Sequence, residues 1–346
     1  MTINNIPGSL YFLKETDFYS GTESNYVKIG LVKKDRSSEK RIYEHQTGNP
    51  REITLHHEIV DVPFITNLEN MIHYLFNEFR ISGEWFKLDA QDLENIIVEA
   101  EHWKTNQLSF YPLYEKANAL LQKPSNGKII NYSTEAKKRY DQYIEIYKEI
   151  KTLEAKADII KYKIIDAAER SEIVKGIYTY KMSSPSNSFK KAEVEKNHPE
   201  IYKQYLTCKK DYKSSFNVKN KPALSKFNPD LYQEKNSCKL PKDEIEERTI
   251  KPSLELKELH KALLDIDRKL APLKWSEEVA KTHLRLLIGM NEGIDSIATH
   301  QRVIEEKEEF DNTKFKIDHP EIYKQCISQS KPARKLILEP GRAYPF

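Results

Sequence analysis

Hydrophobic and polar positions change period several times over the first 95 residues. Leu10–Leu13 and Tyr26–Leu31 are apolar runs that predict two strands, with the turn-forming Tyr19-Ser20-Gly21-Thr22-Glu23 between them. Ser37 and Ser38 precede a short predicted helix, Glu39–Gln46, that ends at the breaker Thr47-Gly48-Asn49-Pro50. Alternation over Ile53–Val60 predicts a third strand. Over Thr66–Phe79, Leu68, Met71, Ile72, Leu75, Phe76 and Phe79 share one helical stripe. Gly83-Glu84-Trp85-Phe86 closes the unit as a turn and a short strand. Strands and helices mixed in this order predict a small α+β domain over residues 1–95.

Longer helical periods follow. Gln91–Leu121 reads as mostly helical and breaks at Pro124-Ser125-Asn126-Gly127, so residues 96–135 are expected to link the first unit to the rest. Ala136–Arg170 carries Tyr143, Tyr147, Ile150, Leu153, Ala157, Ile160, Ile164 and Ala167 at spacings of three or four, which predicts one long helix. Leu254–Leu287 repeats the pattern, with an interruption expected at Pro272. Both stripes are packing seams.

An internal repeat accompanies them. His198-Pro-Glu-Ile-Tyr-Lys-Gln204 recurs unchanged as His319-Pro-Glu-Ile-Tyr-Lys-Gln325, and Phe189 and Phe310 stand nine residues before each copy. Gly176-Ile177 is matched to Gly293-Ile294, and Asn228-Pro229-Asp230-Leu231-Tyr232 reads as a degenerate third copy. The chain beyond 135 is thus expected to be a mostly α-helical duplicated region, with modules at 136–251 and 252–346.

Composition narrows the class. With 38% hydrophobic and 32% charged residues in 346, the chain is too apolar for disorder and too charged for a membrane protein. No apolar stretch approaches the ~18 residues of a spanning helix, and no signal peptide is expected. Cys208, Cys238 and Cys326 are widely separated, which argues against a disulfide framework and for a reducing cytoplasm. Charge is uneven. Residues 1–95 hold 10 Lys/Arg and 15 Asp/Glu, whereas 175–226 hold 12 Lys and 4 Asp/Glu, interleaved with aromatics. Such a stretch suits a phosphate backbone and exposed bases, and it suits equally a solvated lysine face over core tyrosines. Lys190, Lys191, Lys209, Lys210 and Lys213 are its candidate DNA contacts.

Candidate chemistry sits in the first unit. Tyr11 lies on the first strand and Lys28 on the second. Arg41 and His45 share a helix face at i and i+4, as do Glu69 and His73. A phenol, two cations, imidazoles and one carboxylate suit phosphodiester hydrolysis: a carboxylate holds a hard divalent cation, and arginine neutralises charge building on phosphate. Structural roles are open to the same residues, since Thr66-Asn-Leu-Glu69 also fits a capping box that would tie Glu69 to its own helix start.

These residues carry a resemblance. The series Leu10-Tyr11-Phe12-Leu13, Val27-Lys28-Ile29-Gly30, Arg41 with His45, Gln46-Thr-Gly-Asn-Pro50, Glu69-x-x-x-His73 and Gly83-Glu84-Trp85-Phe86 resembles the GIY-YIG nuclease superfamily over about residues 8–90, and within it the phage and bacterial subgroup with V-K-I-G as second signature. The resemblance implies a three-stranded antiparallel sheet flanked by helices and DNA cleavage dependent on Mg²⁺ (or Mn²⁺). It implies a catalytic set of Tyr11, Lys28, Arg41, His45 and Glu69, with Glu69 as the metal ligand. Lys28 stands where many members have a second tyrosine, so the general base is either Tyr11 or a group activated by Lys28. Leu286-Leu-Ile-Gly289, Gly293-Ile294, Phe310-Asp311, Phe315-Lys316, His319-Pro-Glu-Ile-Tyr323 and Arg334 resemble the tail module of phage YqaJ-type recombination exonucleases. The expected function is a metal-dependent DNA endonuclease whose partners are DNA and, through the helical modules, a phage or host recombination or defence protein. The alternatives are a DNA-binding accessory protein without catalysis and a helical adaptor with apolar docking patches. Oligomeric state is open.

Overall fold

Both faces of the first strand are covered, which is why Leu10–Leu13 is apolar without alternation. The structure, a computed structural model, describes residues 3–47, 49–241 and 244–342; Gly48 of the expected breaker lies outside them. The first unit comprises β1 (Gly8–Thr16), β2 (Glu23–Lys33), α1 (Ser38–Gln46), β3 (Glu52–Val62), α2 (Ile65–Leu75), β4 (Arg80–Ser82) and β5 (Trp85–Lys87). Its sheet runs β3-β1-β2-β5-β4 and is antiparallel throughout. Three long strands stand as expected, and the β4–β5 hairpin adds two more. On one face, Leu10, Phe12, Val27, Ile29 and Ile59 pack with Leu68 and Ile72 of α2. On the other, Tyr11, Leu13, Val32 and Ile53 pack with Ile42 of α1.

Helix starts decide where side chains point. Ser37 caps α1 by accepting from the Lys40 amide. The capping box expected at Thr66–Glu69 does not form: Phe64 is the N-cap of α2 and no side chain caps that helix. Glu69 therefore lies in the second helical turn, released from its own helix start.

Beyond the first unit come α3 (Ala90–Leu121), β6 (Ile129–Ile130), α4 (Thr134–Ala167), β7 (Ser171–Val174), β8 (Tyr178–Met182), β9 (Asn187–Phe189), α5 (Lys191–Asn197), α6 (Pro199–Gln204) and β10 (Leu206–Val218). Then follow α7 (Leu224–Phe227), α8 (Pro229–Ser237), β11 (Glu246–Ile250), α9 (Leu254–Ile288), β12 (Gly293–Ile294), β13 (Ala298–Phe310), α10 (Asn312–Asp318), α11 (Pro320–Gln325), β14 (Ile327–Gln329) and β15 (Arg334–Leu338). Among the described residues no helix is long and apolar enough to cross a membrane. Pro272 does not interrupt α9, nor Pro112 α3. Each proline removes one backbone hydrogen bond, and packing of α9 along α4 through Leu263, Ile266 and Leu270 offsets that loss.

The two repeat copies exchange strands. β10 of the first copy pairs with β13 of the second, Leu206 opposite Phe310. Reciprocally, β9 and β8 of the first copy pair with β14 and β15 of the second, Phe189 opposite Ile327 and Tyr178 opposite Leu338. Backbone bonds repeat the relation: the Lys190 amide donates to the Cys326 carbonyl at 2.8 Å, and the Asp311 amide to the Tyr205 carbonyl at 2.9 Å. One aromatic cluster joins both copies, with Phe189 stacked on Tyr323 at 4.4 Å and Phe310 on Tyr202 at 4.8 Å. The copies form one interleaved unit with an internal pseudo-two-fold. Within it Ile177 corresponds to Ile297, not to Ile294: each amide closes a turn, onto the carbonyls of Val174 and Ile294 respectively. The Asn228–Tyr232 segment starts α8, where Asn228 caps the helix and Leu231 packs on Ala155 and Ile159. That insertion lies between the copies.

The first unit docks on α9. Phe64, Met71 and Phe110 pack against Ala271 and Trp275, Asn77 Nδ2 donates to the Leu264 carbonyl at 2.8 Å, and Arg268 pairs with Glu78 at 3.0 Å.

Candidate active site

β5 pairs with β2 from Tyr26 to Lys28, and the Ile29 amide still donates to the Glu84 carbonyl at 3.0 Å, so the edge of β2 is open beyond Ile29. The candidate residues meet there. Tyr11 projects from β1 toward α1, and its hydroxyl lies 3.2 Å from Nε2 of His45. Arg41, one turn earlier on α1, bonds the same phenol and holds Glu44 at 2.6 Å. Lys28 is 8% exposed; its Nζ lies 2.6 Å from Glu84 Oε2 and 5.8 Å from the Trp85 ring centre. Glu69 comes from α2 and takes a hydrogen bond from the backbone of Leu31, at the open edge.

The electrostatics tie the group together. Burial, and then the charge of Glu84, push the Glu69 carboxyl up to about 7 against the pull of Arg80 and Lys28. Burial and Glu84 likewise push the Tyr11 phenol up to about 12, while Arg41 draws it down. Burial, reinforced by Lys28 and Arg41, lowers His45 below its ordinary value, so the ring is neutral at pH 7 and its Nε2 can accept the phenolic proton. Burial works to raise Glu84 itself, but the Lys28 hydrogen bond and charge hold it below the usual carboxylate range.

Two members of this cleft were missing from the sequence-derived set. Glu84 acts on Tyr11, His45 and Glu69, and Arg80 on Glu69. Both belong to the β4–β5 hairpin, and the one signal for them was the position of Glu84 beside Gly83 and Trp85. His73 is buried and donates from Nε2 to the Ile29 carbonyl at 2.9 Å; burial drops it to about 4. It fastens α2 to β2.

A hard divalent cation fits this donor set. Two carboxylates, Glu69 and Glu84, share a half-buried cleft in which Glu84 raises the cost of charging Glu69, and a cation would relieve that repulsion. Mg²⁺ needs only one or two protein carboxylates and keeps its waters. Among the described residues no group of three or more His, Cys, Asp or Glu is placed to hold a metal, so a zinc-type ligand cage is absent there.

The basic segment is partly compensated. Lys209 pairs with Glu309 at 2.8 Å and Lys213 with Glu305, both across the β10–β13 ribbon. Lys210 stands opposite Glu306 in register. Lys190 precedes α5 and Lys191 begins it. The solvated lysine face expected from charge alone is therefore interleaved with acids from a strand 100 residues away.

No curated protein and no solved structure matches the chain. A family model does: residues 8–101, from β1 into the first third of α3, match the T5orf172 domain, so this part of the chain is similar to a phage-type, nuclease-like or DNA-binding domain.

Proposed function

We propose that the chain is a metal-dependent DNA endonuclease of GIY-YIG type, cutting phosphodiesters in the cleft at the open edge of β2. The observation that carries this reading is the meeting of the Tyr11–His45 pair with Arg41, Lys28 and Glu69 at one place. Glu69, with Glu84 beside it, would hold Mg²⁺ or Mn²⁺, which when bound supplies charge neutralisation at the scissile phosphate and a polarised water. Neutral His45 receives the proton of the Tyr11 phenol, and the phenolate so formed takes a proton from the attacking water. Arg41 binds a nonbridging phosphate oxygen as charge builds on it. Lys28, held in place by Glu84, keeps positive potential beside His45 and Glu69, and Arg41 favours the ionised form of the phenol. DNA is held by Lys190, Lys191 and Lys210, joined by Lys209 and Lys213 when phosphate displaces their exposed glutamate partners, since such surface pairs are weak. The interleaved repeats also offer a surface to a phage or host recombination or defence protein.

Supercoiled plasmid incubated with the chain and Mg²⁺, with EDTA as control, tests this directly. Metal-dependent conversion to nicked circles is expected. Retarded plasmid without conversion would establish the accessory, DNA-binding alternative. The adaptor alternative has one feature in its favour, an open groove of about 890 Å³ lined by Phe110, Leu113, Ile146, Trp275 and Val279; neither conversion nor retardation would favour it.

A further inference from the structure

A second cavity, of about 330 Å³, lies between α3, α9 and β10, far along the chain from the cleavage cleft. Tyr114, Asn118, Ser214, Phe216, Thr282 and Arg285 line it. Its described lining residues carry one cation, Arg285, and one acid, Glu278. The Arg285 side chain makes no hydrogen bond or ion pair with a described residue, although the charge of Glu278 acts on it, and its guanidinium lies 4.7 Å from the centre of the Phe216 ring. Stacking covers a face of the guanidinium and leaves its in-plane N–H edge for a bidentate acceptor. Glu278, the acid among the described lining residues, is already taken by Lys281 at 2.8 Å.

Buried groups behind the wall point the same way. Arg302 is 2% exposed, yet its partners are neutral: the carbonyls of Lys123 and Gly289, at 3.1 and 2.9 Å, and Nδ1 of His300 at 2.9 Å. Because Nδ1 accepts, the His300 proton sits on Nε2 and is donated to Ser214 Oγ at 3.0 Å. Ser214 is left with its own proton to give. Thr282 is 1% exposed and its hydroxyl has no hydrogen bond to a described residue.

The pseudo-two-fold supplies an internal comparison. The positions equivalent to Arg285, His300 and Phe216 in the other half are Ile165, Tyr180 and Leu336, which belong to an apolar core, and the position equivalent to Ser214 is Arg334, 5.8 Å from the Tyr180 ring centre. Both halves hold an arginine against an aromatic ring, Arg334 on Tyr180 and Arg285 on Phe216; Arg334 donates to the Tyr180 carbonyl at 2.9 Å, whereas the Arg285 side chain has no acceptor among the described residues and borders a cavity. A half-buried guanidinium without an acceptor costs stability, and an anionic ligand in the cavity would offset that cost.

We propose that this cavity binds a phosphate group, with Arg285 as its bidentate partner and Thr282 and Ser214 as hydroxyl donors. A tetrahedral oxyanion has enough acceptor oxygens to take all three. The phosphate belongs either to a free nucleotide or to a nucleic-acid strand.

The test uses the full chain in EDTA, so its result is independent of whether residues 8–101 cut DNA. Inorganic phosphate, dAMP, deoxyadenosine and a 5′-phosphorylated single-stranded oligonucleotide are titrated by calorimetry. The expected result is binding of the phosphate-bearing probes and none of deoxyadenosine, with affinity lowered at least ten-fold by Arg285→Gln and about three-fold by Thr282→Val. Equal affinity for dAMP and the oligonucleotide identifies a nucleotide site; ten-fold tighter oligonucleotide binding, lost in Arg285→Gln, identifies a nucleic-acid site. Circular dichroism melting establishes that both variants fold, and the near-isosteric Thr282→Val carries the test if Arg285→Gln does not. Absence of binding by the parent, or unchanged binding in the folded variants, overturns the proposal.

Discussion

The phenol of Tyr11 lies over the backbone of Gly30, its cross-strand partner: a Cβ built at position 30 would stand 2.6 Å from the Tyr11 Cζ. Glycine is required here by close approach, since φ at Gly30 is not in the left-handed region. Gly30→Ala should push the phenol off His45. A displacement on the order of 1 Å at a reacting group costs roughly 10²-fold in rate. We expect plasmid nicking to fall by about that factor with strand content retained by circular dichroism.

Glu69 makes the metal-free fold sensitive to pH. Its folded value of about 7 lies above the ordinary glutamate value of 4.5. A raised carboxyl favours the unfolded chain once the unfolded form ionises, so the penalty grows as pH rises from about 4.5 and is complete above about 7. Glu69→Gln should therefore stabilise the metal-free protein by about 1–2 kcal/mol at pH 8 and leave it nearly unchanged at pH 4. Thermal melts in EDTA at the two pH values check this. By the same linkage, Mg²⁺ affinity of the parent should drop as pH falls through about 7, because the proton and the cation compete for one carboxylate.

His45 sets the acid limb of activity. Its pKa lies below the ordinary histidine value, and proton acceptance needs the neutral ring. At saturating metal, nicking should hold constant through about pH 6.5 and be lost only at lower pH. Glu84 raises His45 while Lys28 lowers it, so Glu84→Gln should move that limb to lower pH. The same change leaves the Lys28 ammonium without its carboxylate and should cost about 1–3 kcal/mol of stability. An unmoved limb in a folded Glu84→Gln protein would separate the hairpin from the chemistry.

The reciprocal stacks predict equal couplings. Phe189 with Tyr323 and Phe310 with Tyr202 are the same contact seen twice, at 4.4 and 4.8 Å. Double-mutant cycles on the two pairs should each give about 0.5–1.5 kcal/mol, alike within a few tenths. A large inequality would mean that the interleaved unit is not two-fold in energy.

Elements of local period were legible in the sequence: β1 to β3, α1, α2 and both long helices follow from apolar spacing. Tyr11, Lys28, Arg41, His45 and Glu69 could be gathered because each lies on such an element. Glu84 and Arg80 could not, because a three-residue strand has no period and only the hairpin's return to β2 brings them in. The strand exchange left no local trace, as Leu206 and Phe310 are 104 residues apart. For the same reason the lysines of β10 read as a bare cationic face until their partners on β13 were known. Pro272 misled because the helix rule is local, whereas the α4 seam that sustains α9 is tertiary.

Cleavage at the open edge of β2 is tested most directly by one side-by-side assay. Parent, Glu69→Gln and Arg41→Ala, purified identically, are compared for nicking of supercoiled plasmid in Mg²⁺. The expected result is conversion by the parent and at least a 10²-fold loss in each variant, with all three folded. Equal nicking by the three proteins would contradict the proposed site.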